Sequence, residues 1–458
     1  MTVLPGDNII SALGFTTAEN YGNVKRGVCG LEFFADRYGL PEPFMASEID
    51  AARLDRAFEK VSAEFPAAAR PANAENGGNG KPAAAAACAL GTPETLNTPE
   101  TPGTPETLRT PEALNTPEMS ETLKTPETPG TPETPEAPGG PGCYTRLEKA
   151  AIVSIADALK GTGINPAGEE VIFVLSTTKG NIFLLDENER AGYEQDRLYL
   201  WRSAELIARF FGNVNRPVVV SNACISGAAA LIAAQRELRS GRYAHAVVTG
   251  VDMLSEFIVT GFQSFKALSQ EVCRPFDANR TGLNIGEAAA TVIMTERPEN
   301  EAKRGDIVFT AGAVRNDANH ISGPSRTGEG SYLALRKVME GVDPEEIAFV
   351  CAHGTATPYN DEMESVALTR AGLQHLPVNS LKGYFGHTLG AAGVMESILS
   401  VHALRDETIL KTYGFETPGV TNPLDIVAEN RHTAKRRCIK MLSGFGGCNA
   451  AALFDVLT

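Results

Sequence analysis

Three residues along the chain carry side chains suited to nucleophilic and acid–base chemistry, and each follows a predicted strand. Cys224 stands where the β-branched run Val218–Val220, read as a short buried strand, gives way to a helix rich in Ala and Leu. His353 and His387 stand on turns after two later apolar runs. This arrangement predicts one thiol and two imidazoles on loops at strand ends, where they can meet around a substrate.

The position of Cys224 predicts a reactive thiol. The free N–H groups and the positive dipole end of the following helix would face its sulfur. We therefore expect a lowered thiol pKa and a stabilised thiolate, which is the nucleophilic form. The alternative is a buried cysteine that acts as a small apolar side chain. Two histidines at matched positions favour the nucleophile.

The second half of the chain repeats the first. Residues 346–353 match residues 170–177, and residues 387–393 match residues 224–230, with each polar residue three positions before a glycine that opens an Ala-rich helix. Alternating strands and helices in two similar halves predict a pseudo-twofold α/β architecture, with mixed sheets covered by helices. The reactive residues come from matched turns, so we expect them to meet between the halves.

A site of one cysteine and two histidines suits acyl transfer followed by carbon–carbon bond formation. The thiolate would accept an acyl group from a thioester, and neutral imidazoles would stabilise the enolate formed when a second thioester loses CO2. We expect His387, at a helix N-terminus, to be kept neutral by the helix dipole.

Further polar and turn residues would support such a site. Lys382 would orient or polarise it, unless it is an ordinary surface lysine. Glu364 and Asp361 would hold Lys382 or a turn, although helix capping alone would also explain Asp361. The glycine-rich turn around Phe445 would bring a backbone N–H towards the acyl carbonyl and form an oxyanion hole with the N–H of Cys224.

Composition excludes several classes of function. The net charge is −15, and no basic stripe interrupts the acidic sequence, which argues against nucleic-acid binding. The eight cysteines lack paired C-x-x-C spacing, so neither a metal site nor a disulfide framework is indicated. No long apolar run and no leader peptide is evident, which predicts a cytoplasmic protein without membrane attachment.

The chain divides into four predicted segments. Residues 1–65 begin the N-terminal half, and residues 144–300 complete it with the cysteine. Residues 301–458 form the C-terminal half with both histidines. Between the first two segments, residues 66–143 hold repeated Thr-Pro-Glu units, whose proline content predicts a disordered insertion. This insertion is either a tolerated surface loop or a tether for a partner.

Several motifs together resemble one known family. They are Ser221-Asn-Ala-Cys224-Ile-Ser-Gly227, Arg274-Pro-Phe-Asp277 with Gly286-Glu287, His353-Gly-Thr355-Ala-Thr357, Lys382 with Gly386-His387, and Gly444-Phe445-Gly-Gly447-Cys-Asn449. The sequence is similar to the elongating β-ketoacyl-acyl-carrier-protein synthases of the thiolase superfamily. The likeness covers residues 144–456 well and residues 8–60 loosely.

The resemblance implies a fold and a set of partners. The fold would be a thiolase-like, five-layered αβαβα dimer. The enzyme would bind no cofactor of its own, because its substrates, acyl and malonyl thioesters, arrive on the phosphopantetheine of an acyl carrier protein. The partner subunit would be a second copy of the chain or a chain-length-factor-like subunit.

The resemblance also implies residue roles. Cys224 would be acylated, and His353 and His387 would serve decarboxylation and condensation. Lys382, Glu364 and Asp361 would support them. Two further roles follow: Thr355 and Thr357 would touch the phosphopantetheine arm, and Phe445 would act as a gate and oxyanion donor.

The leading hypothesis is decarboxylative condensation in fatty-acid or polyketide/aryl-polyene-type synthesis. The alternatives are a thiolase using CoA thioesters, with Cys448 as its second cysteine, and an inactive chain-length-factor-type subunit. The chain also departs from the family pattern. Its opening lacks an evident long first strand, Asn222 and Ile225 flank the cysteine motif, Lys179 occupies a loop that usually holds small residues, and the Thr-Pro-Glu insertion is foreign.

Overall fold

The computed structural model describes residues 1–40, 42–65, 144–190 and 192–458. The Thr-Pro-Glu insertion predicted at 66–143 therefore lies outside the described residues, and its disorder stays a prediction. The strands, in chain order, are β1 (Thr2–Ser11), β2 (Glu32–Phe34), β3 (Phe44–Ser47), β4 (Val171–Ser176), β5 (Val218–Val220), β6 (His245–Asp252), β7 (Ile285–Gly286), β8 (Ala288–Glu296), β9 (Ile307–Asn316), β10 (Ile347–Cys351), β11 (Pro377–Asn379), β12 (Thr408–Ile409), β13 (Asp425–Ile426), β14 (Arg431–His432), β15 (Arg437–Gly444) and β16 (Cys448–Val456).

The α-helices lie mostly between strands, as the alternating pattern predicts. They are α1 (Thr17–Lys25), α2 (Ala51–Glu64), α3 (Arg146–Leu159), α4 (Glu187–Arg190), α5 (Leu200–Phe210), α6 (Ser226–Arg239), α7 (Glu256–Ser264), α8 (Glu329–Val338), α9 (Pro358–Arg370), α10 (Lys382–Phe385) and α11 (Ala392–Arg405). Among the residues that the structure describes, no helix is both long and apolar enough to span a bilayer.

Two sets of five strands repeat one order, which confirms the predicted pseudo-twofold relation. In the first set the order is β1-β8-β6-β4-β5, and in the second it is β9-β16-β15-β10-β11, extended by β13. In both sets the last three strands are parallel and the first two pair antiparallel. The sets join where Val3 of β1 pairs with Val308 of β9.

Side-chain alternation along the strands places apolar residues on both faces of each sheet. On β4, Ile172 and Val174 face the shared central core, whereas Phe173 and Leu175 face an outer core. On β10, Phe349 likewise faces the central core. Sheets buried on both faces need helices on both sides, and this requirement sets the layer order.

Five layers result, as the fold class predicted. Helices α2, α3 and α5 cover the outer face of the first sheet. Helices α6 and α11 pack between the two sheets, and α8 and α9 cover the outer face of the second. The two central helices are the ones that begin just after Cys224 and His387, so the layer between the sheets positions both reactive turns.

Two sequence expectations about strands are wrong. The opening does contain a long strand, the ten residues of β1. Pro5 and Gly6 obscure its pattern, because the pairing register with β8 shifts between Val3 and Gly6. Strand β5 is only half-buried, because it pairs with β4 alone and forms an edge of the sheet.

Candidate active site

The structure brings the three reactive side chains together. The sulfur of Cys224 and one ring nitrogen each of His353 and His387 lie within 4.8 Å of one another, and all three residues are buried. The two imidazole rings meet edge to face, with centroids 5.0 Å apart. The same three atoms form a group that could hold a metal ion, so the expectation that no metal binds here stays a prediction.

Cys224 sits on a tight turn between β5 and α6. Ala223 before it has a φ of +44°, in the left-handed region that a side chain rarely adopts. Ser226 stabilises this turn, since its hydroxyl donates to the carbonyl of Ala223 and accepts from the backbone N–H of Asn222 at 2.7 Å. The backbone therefore directs the cysteine into the site.

The predicted lowering of the Cys224 pKa is wrong for this resting site. Burial raises the pKa of the Cys224 thiol to about 12, and Lys382 and Lys179 only partly oppose this effect. Removing the thiol from water disfavours the charged form more than the neighbouring cations favour it. Cys224 at rest is therefore a thiol that must lose its proton during its reaction.

His387 is held in one neutral tautomer. Its Nδ1 lies 3.3 Å from the backbone nitrogen of Leu389, so this nitrogen accepts a hydrogen bond and the proton resides on Nε2. The Nε2 atom has no hydrogen-bond partner among the described residues. Burial, with help from Lys382 and Lys440, holds the imidazole pKa well below its usual value. His387 therefore presents a free N–H donor.

The helix that follows His387 begins close to it. A 3-10 turn, Leu389–Ala391, starts two residues after His387 and leads directly into α11. Burial is the main cause of the lowered imidazole pKa and the neighbouring lysines add to it, so the contribution of the helix dipole stays a prediction.

His353 is held through its backbone. Its main-chain N–H donates to a carboxylate oxygen of Glu364 at 2.7 Å, and the N–H of Gly354 donates to the other oxygen at 2.7 Å. The ring Nδ1 is buried without a partner in the described part of the chain. Burial, with Lys382, His387 and Lys440, holds the His353 pKa well below its usual value.

The two acidic residues of α9 hold a turn, not the lysine. Asp361 accepts from the backbone N–H groups of Phe276 at 2.7 Å and Thr355 at 3.0 Å, whereas Glu364 binds the His353 turn. Burial raises the pKa of Asp361 to about 6 and that of Glu364 to about 7. Of the two predicted roles, the turn is confirmed and the Lys382 contact is wrong.

Lys382 is buried, and its partner is a residue that the sequence did not single out. Its Nζ donates to Glu396 Oε1 at 2.7 Å. The other oxygen of Glu396 accepts from Lys440, a second buried lysine, on β15. A signal for both residues exists in the sequence. A lysine in the apolar run 438–442 and a glutamate in the apolar helix α11 must be buried, and buried charges need partners.

Asp252 is a further residue that the sequence analysis missed. It lies at the end of β6, is buried, and accepts from the hydroxyl of Thr177 at 2.7 Å and the backbone N–H of Thr178 at 2.9 Å. It also accepts from the backbone N–H of Gly390 at 2.7 Å. The carboxylate thus joins a loop of the first half to the turn that follows His387.

A cavity of about 520 Å³ opens onto the cysteine and both histidines. Thr355 and Thr357 line it, and their hydroxyl oxygens lie 2.8 Å apart. Phe445 also lines it and is 37% exposed. The Phe445 ring packs against Phe262 and Phe265, with centroids 5.7 and 5.2 Å away.

The β15–β16 turn approaches the backbone of the cysteine. A Cβ placed on Gly444 would lie only 3.1 Å from the backbone nitrogen of Cys224 and 2.8 Å from the sulfur of Cys448. Only glycine permits this approach, which sets the turn that carries Phe445 beside the reactive cysteine.

Comparison with known sequences finds two matching family models. Residues 144–300 match the N-terminal domain of beta-ketoacyl synthase, and residues 307–416 match its C-terminal domain. Together the matches cover more than half of the chain.

Two curated relatives are 3-oxoacyl-[acyl-carrier-protein] synthase 2 proteins. The one from Rhizobium meliloti (strain 1021) is 34% identical over 254 residues, which are 51% of this chain and 59% of the relative. The one from Vibrio cholerae serotype O1 (strain ATCC 39315 / El Tor Inaba N16961) is 32% identical over 254 residues, 52% of this chain and 61% of the relative. The match thus spans about three fifths of the length of these relatives.

A solved structure shares the whole fold. It is a ketosynthase in complex with its chain length factor from Xenorhabdus doucetiae, and the match has a TM-score of 0.73 at 19% identity. It covers 99% of this chain and 98% of the other. At this identity the likeness establishes the thiolase-like fold and nothing more.

Proposed function

The chain belongs to the β-ketoacyl synthase family, and from this premise we propose that it catalyses the decarboxylative condensation of a malonyl thioester with an acyl group bound to Cys224. The observation that carries the proposal is the buried cluster of Cys224, His353 and His387 at the end of one cavity. A thiol beside two neutral imidazoles supplies both a nucleophile and hydrogen-bond donors.

The first step is acyl transfer to Cys224. The sulfur attacks the carbonyl carbon of an acyl thioester, and the thiol proton passes to the departing thiol of the donor. Burial raises the pKa of the Cys224 thiol, so the thiol needs a group that takes its proton. The imidazoles within 4.8 Å are close enough to relay it.

The second step is decarboxylation of the malonyl thioester. Loss of CO2 leaves the bonding electron pair on the α-carbon and develops negative charge on the thioester oxygen. The Nε2–H of His387 donates to that oxygen, and an N–H of the neutral His353 gives a second bond. Both rings remain neutral because burial holds their pKa values well below the usual one.

The third step joins the two carbons. The enolate carbon attacks the acyl carbonyl on Cys224, and the tetrahedral oxyanion collapses to expel the cysteine sulfur as a thiolate and release a β-ketoacyl thioester. The thiolate then takes up one proton, supplied by solvent, to restore the resting thiol. We assign the oxyanion contacts to the backbone N–H groups of Cys224 and Phe445. The close approach of the Gly444 turn to the Cys224 nitrogen supports this assignment.

We further assign the cavity to the phosphopantetheine arm of an acyl carrier protein, with Thr355 and Thr357 as its hydrogen-bonding partners. Their hydroxyl groups line the cavity beside the imidazoles and fit a polar, extended arm. Phe445 acts as the gate, because its exposed ring lies over the same cavity.

The proposal extends to assembly and location. Strand β5 is a half-buried edge strand, and a second subunit that pairs with it would cover Val218–Val220. That subunit is a second copy or a chain-length-factor-like chain. The cysteines that the structure describes are free thiols, which fits a cytoplasmic enzyme in a reducing compartment.

Intact-protein mass spectrometry tests the proposal. The wild-type chain and a Cys224→Ala variant are mixed with a panel of acyl-carrier thioesters, and malonyl-carrier is then added. We expect an acyl adduct on the wild type alone, discharged with release of CO2 and appearance of a β-ketoacyl-carrier product.

Parallel reactions separate the alternatives. Turnover of acyl-CoA to a condensed product without CO2 release would indicate a thiolase. Absence of an adduct with every donor would refute catalysis and favour a chain-length-factor-type subunit. Sedimentation of the chain alone then distinguishes a homodimer from a chain that needs a second subunit.

A further inference from the structure

A buried group of three charges lies behind the two imidazoles, which are themselves neutral. Glu396 on α11 sits between Lys382 and Lys440 and accepts one hydrogen bond from each ammonium group on separate oxygens. All three residues are buried. Two cations and one carboxylate leave a net positive charge in a place where an uncompensated charge is costly.

Lys440 reaches further than this ion pair. Its Nζ also donates to the carbonyl oxygen of Ala352 at 2.9 Å. Ala352 is the residue immediately before His353. Strands β10 and β15 are hydrogen-bonded neighbours in which Lys440 is paired with Cys351, so the lysine side chain reaches the end of β10 just before the histidine. Its three N–H groups thereby connect Glu396 to the main chain that carries the imidazole.

Burial opposes the ammonium form of Lys440, but the charges of its neighbours, the carboxylate of Glu396 among them, outweigh burial and raise its pKa. Lys440 is therefore an ammonium ion at neutral pH. Glu396 has a lowered pKa and is a carboxylate, because the two lysines outweigh its burial. Lys382 alone would neutralise Glu396. Within this group of three, Lys440 is the cation in excess, and Glu364 is a further acidic group that acts on it.

We propose that Lys440 is a positioning residue for condensation, which fixes the His353 main chain through Ala352 and places a second cation behind the two imidazoles. This inference rests on the proposed condensing function. The cation opposes protonation of both rings and favours the negative charge that develops on the enolate oxygen in front of them.

Other charged or titratable groups lie around the two histidine turns, and the test must separate them from Lys440. They come from each neighbouring element: Lys382 on α10, Glu396 on α11, Asp361 and Glu364 on α9, Cys224 before α6, and Asp252 on β6. Because Glu364 titrates with a pKa of about 7, an activity profile alone would not identify the group that moved.

The experiment therefore combines kinetics with a direct titration of the rings. Two variants remove the charge: Lys440→Met, and Lys440→Gln, which keeps an N–H donor for the Ala352 carbonyl. In each, the rate of condensation is measured from pH 5 to 9. The seven histidines of the chain are labelled and titrated by NMR without substrate, with His353 and His387 assigned by substitution.

In both variants we expect the two imidazoles to become protonated at a pH at least about half a unit higher than in the wild type, since a nearby cation has been removed. The acid limb of the condensation rate should move by the same amount. At neutral pH the rate should fall about tenfold in Lys440→Met and less in Lys440→Gln, because the glutamine retains one positioning bond. Acylation of Cys224 should persist in both.

Met441→Ala is the matched control, because Met441 is buried next to Lys440 but faces the opposite core. It should leave both titrations unchanged. Ring titrations in the Lys440 variants equal to wild type, or an equal loss of rate at every pH, would overturn the proposal. So would failure of both variants to fold. If the wild type forms no acyl adduct, the proposed function fails, whereas the NMR titration still decides the effect of the lysine.

Discussion

The carboxylate of Glu364 accepts two hydrogen bonds from the loop that carries His353: the backbone N–H of His353 donates to one oxygen and that of Gly354 to the other, each at 2.7 Å. Asn360 adds a third hydrogen bond at 2.9 Å. The imidazole is thus positioned by a buried side chain on α9 that acts through the main chain and does not hydrogen-bond the ring itself.

Replacement of Glu364 by glutamine should disturb this loop. A glutamine amide presents one oxygen and one NH2 group, so one of the two backbone N–H groups must face another donor. A buried donor left without a partner costs about 1–3 kcal/mol, and the free energy of unfolding should fall by that amount. We also expect condensation to slow at least roughly tenfold as His353 shifts, with a smaller effect on Cys224 acylation.

Denaturant unfolding and the two half-reactions measure these effects. Glu340→Gln is the control, because Glu340 is exposed and its ion-pair partner among the described residues is the nearby surface residue Lys337. A Glu364→Gln enzyme with wild-type stability and rate would show that one oxygen is sufficient to position the loop.

Much of this arrangement could be predicted from the sequence because the two halves obey the same local rules. Strands β4 and β10 begin at Val171 and Ile347, which are equivalent positions in the predicted repeat. Helix α3 begins at a capping box formed by Thr145 and Glu148. Where the strand periodicity, the helix cap and the helix pattern are consistent, the positions of the turns at the strand ends can be predicted. The proximity of Cys224 to the two histidines follows from those positions.

The parts that escaped prediction depend on contacts between distant segments. Glu396 and Lys440 are 44 positions apart, and nothing local shows that they pair. The Cys224 pKa depends on burial by both halves, which outweighs the local effect of the turn. Strand β1 was missed because its register shift near Gly6 breaks the alternation that identifies a strand. The roles of Thr355, Thr357 and Phe445, and the boundaries of the four segments, stay predictions.

The crossing of the two central helices provides a second prediction. Gly227 on α6 faces Gly393 on α11, and a Cβ on Gly393 would lie 2.4 Å from the backbone nitrogen of Ala228. In an isolated helix, alanine would be more stable than glycine by about 1 kcal/mol. Here Gly393→Ala must force the helices apart, so we expect a loss of about 1–3 kcal/mol in the free energy of unfolding, together with loss of activity.

Gly261→Ala is the matched control on α7, where an added Cβ would meet no atom within 4 Å. Denaturant unfolding of this variant should give a stability equal to or slightly above that of the wild type. If the two substitutions changed stability equally, the close approach of α6 and α11 would not limit the packing.

The third prediction concerns stability at acid pH. Burial holds the pKa values of His353 and His387 well below 6.5, whereas in the unfolded chain both rings titrate near that value. Below pH 6.5 the unfolded chain therefore binds protons that the folded chain does not. A depressed folded-state pKa contributes stability that is present above the unfolded pKa and is lost as the pH falls.

At pH 5, about 1.5 units below the unfolded pKa, each ring should have lost up to about 2 kcal/mol of its contribution relative to pH 7. The double variant His353→Gln/His387→Gln lacks these groups, so its unfolding free energy should fall less between pH 7 and pH 5, by up to about 4 kcal/mol. Urea unfolding at pH 7, 6 and 5 measures the difference, in which the titration of the other buried groups largely cancels. If the unfolding free energies of the wild type and the double variant fell in parallel with pH, the two rings would become protonated within the folded site. The neutral donors on which the proposed decarboxylation depends would then be lost at acid pH.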